Sequence, residues 1–198
     1  MITDSLSAFP HDYEVEVIDE LPPAGDPLPF YYPGGTRQGG HDGLLVRVRS
    51  PGRPPWIGMF ASGRFGLGKP VVSSCPDVNM LCVVSARVAY FVRADEPAIW
   101  SSAPVFPIAD FRPLLNKGII LLVDDTTIGA FGPSGMLWRT KQLSWDGISV
   151  THVGEEYIEG EAWDPTMSQR PRFRVDLRTG EHQGGSTPDK YAPDRAIS

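Results

Sequence analysis

Leu81 to Trp100 reads LCVVSARVAYFVRADEPAIW and Ile119 to Trp138 reads IILLVDDTTIGAFGPSGMLW, two segments 38 positions apart with almost the same layout. Each opens on a short apolar run, breaks at polar residues, resumes as a second strand-like run and ends on tryptophan. A fixed period of this length marks a supersecondary unit used more than once, and small antiparallel sheets stacked side by side are the usual form of such units.

Two further segments extend the pattern. Val46 and Val48 alternate with Arg47 and Arg49 and lead through Pro51 to Trp56, the same step from proline to tryptophan as Pro133 to Trp138. Phe173, Val175 and Leu177 alternate with Arg174 and Asp176 and run into Arg178-Thr179-Gly180, in the place of Pro133-Ser134-Gly135. The four units are spaced 44, 38 and 45 residues apart. The outer two match less closely: the last lacks a terminal tryptophan, and the first follows RQGGH instead of an apolar strand.

The rest of the chain agrees with short strands and tight turns. Twenty prolines and 21 glycines in 198 residues are too many for a helical bundle, and no window carries a long 3.6-residue apolar period. Asn116-Lys117-Gly118, Gly132-Pro133-Ser134-Gly135 and Trp145-Asp146-Gly147 supply turn residues between the runs. Leu81 to Val84 and Ile119 to Val123 are apolar without alternation, which predicts strands in sheets covered on both faces. The unit ending Gly132-Pro133-Ser134-Gly135-Met136-Leu137-Trp138 resembles the blades of β-propeller proteins, over roughly residues 43–184. The chain departs from that family in having too few units for an ordinary closed propeller. The expected fold is therefore all-β: an antiparallel meander of three to four hairpin units forming an open propeller-like sheet stack, a sandwich or a compact barrel. A compact single chain is the favoured form, and completion of one chain by another, a homo-oligomer, is the alternative.

Three regions follow from composition. Residues 1–42 hold one alternating run, Tyr13 to Ile18, then many prolines and glycines, and are expected to form an acidic extended arm laid over the core through Phe30, Tyr31 and Tyr32. Residues 43–184 form the β-repeat domain, and residues 185–198, poor in large apolar side chains, a mobile tail. No signal-peptide pattern opens the chain and no 18-residue apolar span crosses it, so no membrane partner and a cytoplasmic location are expected.

No complete catalytic or cofactor motif emerges. Gly63 to Lys69 fits a phosphate-binding loop until Pro70, where a serine or threonine hydroxyl should stand. His11, His41, His152 and His182 are scattered, so neither a metal nor any other cofactor is expected. Ser134 lacks the strand-to-helix elbow of a nucleophile, and Asp124-Asp125 and Asp146 sit where turns want aspartate. Glu159 and Glu161 share one strand face, the pattern of a solvated surface. Cys75 and Cys82 read as core thiols, with a disulfide as the alternative.

Charge and aromatics carry what functional signal there is. Net charge is −6, which argues against nucleic acid as a partner. Residues 1–36 carry seven acids and no base, whereas residues 37–69 carry six bases and only Asp42. Either the acidic arm covers the basic stripe or the stripe engages an acidic surface elsewhere. The expected function is a non-enzymatic module binding a protein partner, of accessory or immunity type. Its candidate contacts are Arg47, Arg49, Arg53, Arg64 and the loop tryptophans Trp145 and Trp163. The alternatives are a carbohydrate or other small ligand held by loop aromatics, or a hydrolase whose site assembles only in the fold.

Overall fold

The computed structural model describes residues 3–5, 8–20, 29–34, 43–62 and 68–186. Its elements in chain order are β1 (Thr3–Ser5), β2 (Glu14–Ile18), β3 (Phe30–Tyr32), β4 (Gly43–Arg49), β5 (Trp56–Ala61), β6 (Val71–Ser74), β7 (Met80–Ser85), β8 (Val88–Arg93) and β9 (Trp100–Ser102). There follow β10 (Asp110–Leu114), β11 (Ile119–Val123), β12 (Ile128–Gly132), β13 (Gly135–Arg139), β14 (Ile148–Val153), β15 (Tyr157–Ala162), β16 (Arg172–Asp176) and β17 (His182–Gly184). One 3-10 turn at Leu115–Lys117 is the only helical element among the described residues.

The strands form four sheets, ordered β2-β4-β5-β3, β1-β6-β7-β8-β9, β10-β11-β12-β13 and β14-β15-β16-β17. Neighbours pair antiparallel except at two edges, where β1 joins β6 and β3 joins β5 in parallel. Among the described residues no sheet closes into a barrel; the strands form a stack of sheets. Residues 1–42 supply β1, β2 and β3, so they enter two of the sheets as edge strands, and Tyr32 is buried there.

Side-chain alternation produces three cores in series between the sheets, and a smaller apolar cluster of Leu45, Ile57 and Met59 on the outer face of the first sheet. Val46, Val48 and Phe60 of the first sheet meet Leu81, Val83 and Tyr90 of the second. On that sheet's other face, Cys82, Val84 and Phe91 meet Ile120, Leu122 and Phe131 of the third. Ile119, Leu121 and Val123 then face Ile158, Phe173 and Val175 of the fourth. The unbroken apolar runs in β7 and β11 are thus inner strands that feed a core on each side, as their lack of alternation requires. Cys75 and Cys82 are free buried thiols.

The tryptophans do not share one environment. Trp56 Nε1 donates to the Ala94 carbonyl at 2.8 Å and Trp138 Nε1 to the Leu177 carbonyl at 2.9 Å, each tying its sheet to the next in the stack. Gly180, at φ +74°, makes room for the Trp138 ring: a Cβ there would lie 2.6 Å from it. Trp100 faces the preceding sheet instead, edge-on to Tyr32 at a ring separation of 5.5 Å. Trp100 and Trp138 hold equivalent places in their hairpins, opposite Val92 and Ala130, yet face opposite ways along the stack, because Val92 belongs to the core shared with the first sheet and Ala130 to the core shared with the fourth.

Candidate functional site

Trp145 and Trp163 come from different loops, the β13–β14 and β15–β16 connections, and the fold sets them side by side at one end of the fourth sheet. The Trp145 N–H donates to the Trp163 carbonyl at 3.3 Å, and the Trp163 N–H to the Gly147 carbonyl at 3.0 Å. Beneath them lies the fully buried Ser144. Its Oγ accepts from the Trp163 N–H at 2.9 Å, and its hydroxyl faces the carbonyls of Gly147 at 2.9 Å and Trp163 at 3.1 Å.

A second buried group fixes the outer loop. Asp164, 4% exposed, accepts through Oδ1 from the Thr166 N–H at 2.8 Å and hydroxyl at 2.7 Å, and through Oδ2 from the Ser186 hydroxyl at 2.6 Å. Gly147 adopts φ +101°, and its N–H donates to the Asp125 carbonyl at 2.7 Å, joining the loop to the third sheet. On this framework Trp145 is 40% exposed, Trp163 37% and Met167 41%. Large apolar side chains are thereby presented on a backbone that has little freedom left to lose.

The arginines lie elsewhere. Arg47 and Arg49 stand on the outer face of the first sheet, where Glu16 Oε2 accepts from Arg47 at 2.9 Å and from Arg49 at 3.4 Å. The register places Glu16 opposite Arg47 and Glu14 opposite Arg49, so the acidic and basic segments neutralise one another across β2 and β4. Arg53 is exposed in the β4–β5 turn, and Arg64, with the glycine-rich run 63–67, lies outside the described residues. Two sheets separate the Arg47 face from the tryptophans; the fold does not unite them.

The outer face of the fourth sheet carries a similar ladder. Glu159 stands opposite Arg174 and Glu161 opposite Arg172, and the Arg174 guanidinium also lies 3.6 Å from the Tyr157 ring centre. Gly160 approaches Phe173 and the Ser149 carbonyl too closely to admit a Cβ, and on the outer face the charged pairs line an open groove of about 580 Å³. Among the described residues no three histidine, cysteine or acidic side chains group as metal ligands.

Sequence reasoning missed how these loops are held. Arg87, at φ +71°, makes two bonds to Asp125, at 3.0 and 3.1 Å, bridging the second and third sheets. Ser144, Asp164 and Ser186 are individually unremarkable residues, and only tertiary placement makes them one support. No protein-family model matches the chain, and no curated protein matches it.

Proposed function

We propose that this protein is a non-enzymatic recognition module that binds another protein, with Trp145 and Trp163 at the centre of the contact. The observation that carries this reading is two adjacent, partly exposed tryptophans mounted on a main chain pinned by buried Ser144 and Asp164. Tryptophan dominates the energetics of protein interfaces, and a rigid mount reduces the ordering cost of association. Accessory and immunity-type proteins, which act by occupying a partner's surface, fit this description. Arg47 and Arg49, already engaged by Glu16, contribute at most secondary attraction.

The test is capture of host proteins by the tagged chain, compared with Trp145→Ala/Trp163→Ala and with Arg47→Glu/Arg49→Glu. The tryptophan variant should lose a partner that wild type retains, weakening affinity by roughly 30-fold or more. The arginine variant should retain it, with little change between low and high salt. Retention by the tryptophan variant, or saturable binding of a free oligosaccharide at the same residues, would defeat the proposal.

A further inference from the structure

At the seam between the second and third sheets lies a cavity of about 240 Å³, distinct from the surfaces described above. Its wall is chemically selective. Phe91 and Phe131 stack there with ring centres 5.0 Å apart, and Met80 and Met136 add thioethers. Methionine walls are flexible and polarisable and favour contact with flat rings. Asp77 is the only acidic or basic side chain in the lining. Cys75, also in the wall, is held neutral because burial pushes its thiol well above the ordinary range.

Asp77 has capacity to spare. Its Oδ1 accepts from the Asn79 N–H at 3.0 Å, and among the described residues no hydrogen-bond donor holds Oδ2. Arg93, a cation on which Asp77 acts electrostatically, is held by both carboxylate oxygens of Asp95, at 3.0 and 2.8 Å. The cavity's volume equals that of about eight liquid waters, enough for one aromatic ring with a short arm.

From this wall we infer that the seam is a binding site for a small aromatic amine, its ring between the phenylalanines and methionines and its ammonium at Asp77. An anion is disfavoured by the lone carboxylate, and a neutral ring of the same shape forgoes a charge-assisted hydrogen bond.

The experiment titrates phenethylamine, 2-phenylethanol and phenylacetate into the intact protein and follows backbone amide shifts of the lining residues. Phenethylamine should saturate with a dissociation constant of about 1 mM or tighter. 2-Phenylethanol should bind about tenfold more weakly, and phenylacetate should not saturate. Asp77→Asn keeps an acceptor for the Asn79 N–H, so the fold is retained while the tenfold preference for the amine disappears. Ser102→Trp, at an exposed position on the rim, should block both ligands. Equal affinity of wild type for amine and alcohol, no saturation by phenethylamine at 10-fold the expected constant, or undiminished binding to the Ser102→Trp variant would each overturn the assignment.

Discussion

At the scale of single residues, aspartate organises the turns. Asp124 Oδ1 accepts from the Thr126 and Thr127 N–H groups, Asp164 Oδ1 from Thr166, and Asp176 Oδ1 from Arg178 and Thr179. Such bonds mimic a backbone turn and leave no stranded donors. The sequence already marked Asp124 as a turn residue; Asp164, after a tryptophan and before a proline, carried no comparable signal because its second partner, Ser186, is 22 residues away. Asp164→Ala should cost about 2 kcal/mol, since the Ser186 hydroxyl and Thr166 N–H lose a buried acceptor; urea unfolding measures it. Asp176 bears on acid stability. The Thr179 N–H, foremost, together with the Arg178 N–H and Thr179 hydroxyl, holds its carboxyl below the ordinary range. A lowered folded-state value stabilises above the unfolded value, near 3.8, and that contribution is lost as pH falls through the folded one. Wild type should therefore lose stability below about pH 4 more steeply than Asp176→Ala, as read by thermal melts across pH.

Elements were legible in proportion to their periodicity. The run Ile119 to Val123 could only be a strand covered on both faces, and β11 sends Ile120 and Leu122 into one core and Leu121 and Val123 into the next. Leu121→Ala should cost about 3 kcal/mol, as other large-to-small changes at fully buried sites do, whereas Leu137→Ala on the exposed part of β13 should change stability by about 0.5 kcal/mol or less. Denaturant midpoints of the two variants check the contrast. Less could be read from Phe30 to Tyr32. Three aromatic residues among prolines suggest contact with a core, yet their parallel pairing with Gly58 to Phe60 depends on a connection across the whole of β4. Nor does a tryptophan announce which face of its strand it occupies. Trp56 and Trp138 point onward along the stack and Trp100 points back, because the second and third sheets turn equivalent faces in opposite directions, Val92 toward the first sheet and Ala130 toward the fourth.

For the whole molecule, the telling feature is the resemblance between its two ends. Both terminal sheets show two glutamates on one strand opposite two arginines on the next, Glu14 and Glu16 with Arg49 and Arg47, and Glu159 and Glu161 with Arg174 and Arg172. A charged ladder on an open terminal sheet discourages further copies from adding to it; on the first sheet the ladder lies beside the apolar Leu45, Ile57 and Met59, whereas on the fourth it covers the groove face. Converting Glu159, Glu161, Arg172 and Arg174 together to valine should leave the inner cores intact and cause concentration-dependent association, detected by light scattering behind size exclusion. An unchanged monomeric mass across a wide concentration range would show that the ladder has no such role.

The serial arrangement of the cores also bears on how the chain is made. The first core is complete once Trp100 has been added, the second needs nothing beyond Phe131, and the third closes with Leu177. Each apolar sheet face thus waits for only the next sheet to emerge from the ribosome, a delay on the order of seconds at ordinary elongation rates. Folding can keep pace with translation from the amino terminus onward, so no greasy surface need await the final residues.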